Sequence, residues 1–298
     1  MTLCNRGQTN ATLFPTIKQI KGDRNTNQIS ELIQGDWDYI IDLSAYFPKS
    51  LAQIIPTVGN QLKKYIFIST CSVYKLGEAI PLTESATLKI CQPEDWEDET
   101  DSTYGERKVA CETLLQKSKL NFTILRPALV YGKYDPTDRF YYWLHQVKTY
   151  EKIGLPNKGK QKFSITYIED LIQSILYSIN PKKDRVAYNI VSFPKISVRE
   201  IVEMSRQILD KSPKLINLPP TFLHDNKISQ WLDMPLWIDG DYFVCDNQKM
   251  INQFDFQIVP FDETVRKTIA YYQTLNWPIP KYGIDRARQL SLIEQQVS

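Results

Sequence analysis

The stretch YIFISTCSVY, residues 65–74, begins as an unbroken apolar run and closes on hydroxyl side chains. A run of that length without helical period reads as a strand buried on both faces, and its polar end as a turn at the strand's carboxyl edge. Working outward, WDYIIDLSAY (37–46) reads as a strand and PKSLAQIIPTVGNQLKK (48–64) as a helix, with Pro48 suited to its first turn. Downstream, STYGERKVACETLLQKS (102–118) reads as a helix and NFTILRPALVYG (121–132) as a further strand. Upstream lie a strand over Thr2–Cys4, the turn Asn5-Arg6-Gly7, a strand at Ile17–Ile20, and the helix-like NTNQISELIQG (25–35) ending on Gly35. Strands alternating with helices predict a doubly wound parallel sheet of the Rossmann-like α/β class.

Beyond about residue 135 the alternation loosens. DRFYYWLHQVKTYEKI (138–153) and YIEDLIQSILYSI (167–179) read as helices and VAYNIV (186–191) as a strand. ISVREIVEMSRQIL (196–209) reads as a helix capped by Ser197. PPTFLHDNKISQWLDMPLWIDGDY (219–242) has no clean period. The division expected is 1–135, the strand–helix alternation, and 136–298, a smaller, mixed region on the carboxyl edge of the sheet, where open α/β sheets bind their substrates and other ligands.

The chain has 36 basic and 34 acidic residues, a net charge of +2, which gives no electrostatic argument for nucleic acid or an anionic membrane. No run reaches the roughly 18 apolar residues of a membrane span. Five cysteines without a C-x-x-C pair, with only two histidines, fit a reducing, cytoplasmic setting and give no metal-ligand spacing, so no metal is expected.

Tyr104 and Lys108 stand four apart on the helix, hence on one face, where an ammonium favours the ionised phenol and lowers its pKa toward working pH for acid/base catalysis. In a chain with 17 tyrosines the spacing also arises by chance, and a surface helix pair is the competing reading. Its place in the order of elements adds weight: the hydroxyl-ended strand precedes it by some 30 residues and Leu125-Arg126-Pro127 follows it.

Together, Phe67-Ile-Ser69-Thr70-Cys-Ser72-Val-Tyr74, Tyr104-x-x-x-Lys108 and Leu125-Arg126-Pro127-x-x-x-Tyr131-Gly132 resemble the extended short-chain dehydrogenases of the NAD-dependent epimerase/dehydratase family, over most of residues 1–200. The resemblance implies that Thr70 orients a substrate hydroxyl or carbonyl, that Tyr104 is the acid/base, and that Lys108 holds the nicotinamide ribose. It places Pro127 and Val130 beside the nicotinamide, Asp42, Leu43 and Ser44 beside the adenine ribose, and Asp23 near the adenine. Asp170 corresponds to a structural aspartate of the family.

Asn5-Arg6 occupies the position that reads the ribose at the end of the second strand. Asn5 stands where an NAD enzyme usually carries an acidic residue, and Arg6 beside it suits a 2′-phosphate, which tilts the cofactor toward NADP. No G-x-x-G-x-x-G occurs in the 298 residues. The glycine-rich strand, loop and helix are therefore expected upstream of Met1, and the chain by itself is expected to bind dinucleotide poorly. Their absence would leave two inner edges of the sheet unpaired.

On the substrate side, Ser72, Asp135, Asp138, Arg139 and Lys162 are candidates, with Tyr142 and Trp143 as a cleft wall or as plain packing; YDPTDRFYYWLHQV (134–147) resembles an atypical subgroup of the family. Phe163 stands where many sugar-nucleotide members carry an Arg. The expected activity is an NAD(P)-dependent epimerase, dehydratase or reductase acting on a hydroxyl or carbonyl carbon of a small, sugar-like substrate, in a possible homodimer. Two alternatives come from other classes: an RNA-binding relative, with basic clusters at Lys63-Lys64, Lys158–Lys162 and Lys182-Lys183, and a cofactor-dead structural or regulatory homologue.

Overall fold

A computed structural model of the chain describes residues 1–9, 12–26, 28–58, 61–77, 80–180, 182 and 184–297. Its strands are β1 Thr2–Asn5, β2 Lys18–Lys21, β3 Tyr39–Asp42, β4 Lys64–Ile68, β5 Phe122–Pro127, β6 Leu129–Tyr131, β7 Lys152–Pro156, β8 Lys162–Tyr167, β9 Arg185–Ile190, β10 Phe193–Ser197 and β11 Lys214–Leu218. The helices are α1 Ile29–Leu32, α2 Pro48–Ile54, α3 Tyr104–Lys117, α4 Arg139–Thr149, α5 Ile168–Ser178, α6 Val198–Leu209, α7 Pro220–Asp225, α8 Gln248–Gln253, α9 Phe261–Thr274 and α10 Arg286–Val297. Gly59 and Asn60, read above as helix, lie outside the described residues.

Two compact units interleave along the chain: Met1–Lys75 with Glu84–Pro127 and Ser174–Asn189, and Leu76–Thr83 with Ala128–Gln173 and Ile190–Ser298. In the first, β3, β4, β5 and β9 form one sheet in that order, with β3–β4 and β4–β5 parallel. β4 and β5 are buried along their whole lengths, as the unbroken apolar run requires of central strands. Tyr65, Phe67, Phe122 and Ile124 pack against Leu51 and Ile54 of α2 and Cys111 and Leu115 of α3. β1 and β2 make a separate parallel pair. Among the described residues, β1 is paired with β2 alone and β3 with β4 alone.

The second unit is built differently. β6 and β10 flank β8, parallel and antiparallel respectively, and β7 pairs with β11 in parallel. Its core is aromatic: Tyr141 stacks on Tyr272 at 3.5 Å and Tyr131 on Phe140 at 4.1 Å. Ser197 caps α6, accepting from the Glu200 amide as its position in the sequence predicts.

The segment 121–132, read as one strand, is two. β5 belongs to the four-stranded sheet and β6 to the three-stranded one. Pro127 has no amide to continue a ladder, and the next amide, Ala128, donates to the Thr166 hydroxyl at 2.9 Å instead.

Candidate active site

β4 ends at Ile68, and Ser69 and Thr70 lead into a single 3₁₀ turn, Cys71–Val73, whose second amide, that of Ser72, donates to the Thr70 hydroxyl at 3.1 Å. α3 starts against this turn. Gly105, its second residue, lies so close that a Cβ there would sit 2.2 Å from the Ser72 carbonyl oxygen. Arg107, 3% exposed, ties the preceding loop down by donating to the carbonyls of Asp98 and Thr100 and to the Thr103 hydroxyl.

This packing brings Thr70 to Tyr104. Burial, and then the neighbouring Tyr46, push the Tyr104 phenol up to about 12, while the Thr70 hydroxyl, within hydrogen-bonding reach, and Arg107 pull it down. Lys108 is 2% exposed, and its ammonium donates to the carbonyls of Ile68 at 2.6 Å and Ala45 at 3.1 Å. It also lies over the rings of Phe67 and Tyr46. Burial pushes it down to about 8. The i, i+4 spacing predicts an ammonium that lowers the phenol. Here the strand-end carbonyls take the ammonium, and burial raises the phenol.

Asp42, at the end of β3, is 6% exposed and fully engaged. Arg24 reaches both of its oxygens, Tyr65 donates to it at 2.5 Å, and the Ser44 amide donates at 3.1 Å. Burial would raise this carboxyl, but the Arg24 guanidinium, with Tyr65 and Ser44, holds it below the usual carboxylate range. Leu43 and Ser44 are exposed, and Asp23 is half-buried and accepts from the Asn25 amide. Asn5 and Arg6 are exposed, with the Gly7 amide donating to Asn5. Between the Arg24–Asn25 turn, the start of α2 and the acidic loop lies a cleft lined by Asn25, Phe47, Lys49, Ser50, Glu97 and Glu99. Pro127 is buried and Val130 half-buried.

In the second unit the candidates take partners of their own. Asp138 is buried and accepts from the Tyr272 hydroxyl at 2.6 Å, and Asp135 accepts from Thr137. Arg139 lies over the Tyr282 ring, and Lys162 pairs with Glu200 at 2.7 Å. Tyr142 and Trp143 are core residues, the indole donating to the Pro235 carbonyl. Asp170, 1% exposed, holds Ser192 and the Val259 amide, as a structural aspartate would.

Two residues with no assigned role support the first unit's site. Glu112, one turn beyond Lys108, and Arg126, the penultimate residue of β5, form an ion pair with side chains 1% and 3% exposed. Their signals were in the sequence: Glu112 continues the Tyr104–Lys108 face, and an arginine inside an apolar strand demands a buried partner.

Among the described residues no helix is long and apolar enough to cross a membrane, and no group of three or more His, Cys, Asp or Glu side chains is arranged to hold a metal ion. A family model described as "NAD dependent epimerase/dehydratase family" matches residues 28–191. The chain is 28% identical over 179 residues to the chloroplast stem-loop binding protein of 41 kDa b of Arabidopsis thaliana, covering 58% of this chain and 44% of that protein. It is 25% identical over 194 residues to the UDP-glucuronate 4-epimerase of Thermodesulfobacterium geofontis, covering 61% and 54%. The chain thus spans about half the length of these curated relatives. Among solved structures, the Bordetella bronchiseptica enzyme WbmG in complex with NAD and UDP matches with TM-score 0.71 and 14% identity, over 93% of this chain and 87% of that one. The UDP-glucuronic acid 4-epimerase from Bacillus cereus in complex with NAD matches with TM-score 0.66 and 19% identity, over 93% and 91%. These likenesses establish a Rossmann-like α/β fold.

Proposed function

From the premise that the chain belongs to the NAD dependent epimerase/dehydratase family, we propose that it acts on a hydroxyl or carbonyl carbon of a sugar-like, nucleotide-linked substrate. The observation that carries this reading is the strand–turn–helix that sets the Thr70 hydroxyl within reach of the Tyr104 phenol, with Lys108 one turn further along the helix. Tyr104 passes the proton to or from the substrate oxygen, and Thr70 donates its single hydroxyl hydrogen to that oxygen. Lys108, anchored on Ile68 and Ala45, has a third N–H to offer a ribose hydroxyl.

NAD or NADP, when bound, supplies the hydride acceptor and donor. The fit to the group is uneven. Lys108 and Tyr104 suit its nicotinamide ribose, and the exposed Leu43 and Ser44 suit its adenine end. Asp42 is already committed to Arg24 and Tyr65, and these 298 residues hold no glycine-rich turn for the pyrophosphate. In this reading Arg6 favours NADP. NADH against NADPH titration tests this.

The reading is tested by turnover on a panel of nucleotide-linked sugars with NAD or NADP. Tyr104→Phe should abolish it with the fold intact, and full activity in that variant would remove the mechanism. The similarity to a stem-loop binding protein raises a second reading, RNA binding. Its basic clusters are thin: Lys64 is fully buried against Asp184, Lys162 is paired with Glu200, and Lys183 lies outside the described residues. RNA affinity that falls steeply with salt and ignores Tyr104→Phe would favour it.

A further inference from the structure

Glu112 gathers three hydrogen bonds on one carboxylate. Its Oε1 accepts from the Ser69 hydroxyl at 2.6 Å and from Arg126 Nε at 2.9 Å, and its Oε2 accepts from Arg126 Nη2 at 2.5 Å. The other side of the guanidinium, Nη1, donates to the Tyr74 hydroxyl at 2.9 Å, and Tyr74 donates to Asn189 at 2.5 Å. The Arg126 carbonyl accepts from the Cys71 thiol at 3.1 Å. Ser69, Cys71 and Tyr74 are the residue before Thr70, the residue after it, and the residue that ends its turn. The turn carrying Thr70 is thus fastened at two points to one buried ion pair and at a third to the main chain of Arg126, and one member of that pair belongs to the helix that carries Tyr104.

A buried ion pair is a poor device for stability, because desolvating both charges offsets most of their attraction. Its directional bonds make it a good device for fixing geometry. We propose that Glu112 and Arg126 are positioning residues, which hold the Thr70 hydroxyl at the Tyr104 phenol by locking the 69–74 turn onto α3. The inference rests on the proposed roles of Thr70 and Tyr104. The pair touches neither substrate nor cofactor in this role. It acts through Thr70, whose hydroxyl joins Tyr46, Arg107 and Cys111 as the groups that set the electrostatics of the phenol.

The experiment is a double-mutant cycle on the full chain with Glu112→Gln and Thr70→Ala, read as kcat and KM. Glu112→Gln should lower kcat by roughly 10- to 100-fold, the scale of an ångström's misplacement, with KM and cofactor affinity unchanged. Adding it to Thr70→Ala should cost almost nothing more, because both remove the same contact. Multiplying losses, or an unchanged kcat, would overturn the proposal. Where Glu112→Gln fails to fold, Ser69→Ala cuts only the link between the carboxylate and the turn, and the same non-additivity is expected. A readout free of turnover is the NMR signal of the Thr70 methyl group, which should shift in both Glu112→Gln and Ser69→Ala; an unmoved signal in both would overturn the proposal. If activity survives Tyr104→Phe, the functional reading has failed. If Tyr104→Phe is inactive while Glu112→Gln is normal, only the positioning role has failed.

Discussion

Gly105→Ala adds one methyl group where α3 meets the turn bearing Thr70. The new carbon would lie 2.2 Å from the Ser72 carbonyl oxygen and 3.0 Å from both the Ser72 carbonyl carbon and Lys89 Nζ. Lys89 can swing aside, but the Ser72 carbonyl is main chain. Relief from 2.2 Å to the 3.4 Å at which ordinary contact begins requires a parting of about 1.2 Å between turn and helix. Overpacking of this kind costs about 1–3 kcal/mol. Alanine returns up to about 1 kcal/mol through helix propensity and a less flexible unfolded chain. The net loss, roughly 0–2 kcal/mol, is small against a domain stability of about 5–15 kcal/mol. An ångström-scale displacement of Thr70 from Tyr104, however, should lower turnover by about 100-fold. The expected signature is therefore a nearly normal melting temperature with kcat greatly reduced, measured by calorimetry and initial rates on one preparation. A variant with full kcat would refute the idea that this close approach sets the catalytic geometry. One that melts far lower, with a normal rate per folded molecule, would mean that the glycine serves only packing.

Asp42→Asn should destabilise the protein by about 3–5 kcal/mol, since it leaves the Arg24 guanidinium buried without its counter-charge. The Asp42 carboxyl is held low in the folded state, so its contribution is whole above the unfolded carboxylate value of about 3.9 and fades as pH falls below it. Urea unfolding at neutral pH and at pH near 3 should show the gap between parent and variant narrowing in acid, and a constant gap would refute the assignment. Lys108→Met gives the opposite lever. Its ammonium is pushed down to about 8 from an ordinary 10.5, so the unfolded chain binds more protons between those values and parent stability gains from rising pH across that window. The methionine variant should lack this gain, and identical pH slopes in the two proteins would exclude a lowered Lys108. Turnover should be lost at every pH.

The legible parts of the sequence were those whose signals are local. The apolar run ending in Ser69 and Thr70, the Tyr104 helix and the Ser197 cap each declare themselves within a dozen residues, and each forms where the pattern puts it. Extents were less legible. The helix expected to run from Pro48 to Lys64 is described as helix only to Ile54, ahead of Pro56, and the one expected over 25–35 is a single turn at Ile29–Leu32. The strands β7, β8, β10 and β11 gave no usable signal. KIGLP, KFSITY, FPKIS and KLINL are short, and several carry Lys, Gly or Pro; β7 finds its partner β11 about 60 residues away. The aromatic helix was legible as a helix, and its aromatic side chains read equally as cleft wall or as packing. Only the stacking of Tyr141 on Tyr272 and the Trp143 bond to Pro235 show what the aromatic side chains serve.

The site also separates two demands that sequence spacing merges. Y-x-x-x-K places two side chains on one helical face, but it does not fix which neighbour each will choose. In this chain Lys108 is claimed by the carbonyls that end β4 and follow β3, and Tyr104 by Thr70. A phenol pushed up to about 12 is fully protonated at neutral pH, so it has a proton to give, as a weak acid, and no base form with which to take one. Proton abstraction would need the phenol lowered, and the positive charge that already pulls it down is Arg107. Under the proposed function, a nicotinamide ring that brought positive charge to the phenol would lower it further and would favour the oxidising direction. The pH–rate profile should move to lower pH for oxidation, but not for reduction, as cofactor saturates the site. Profiles that stay together at all cofactor concentrations would show that the phenol is not tuned in this way.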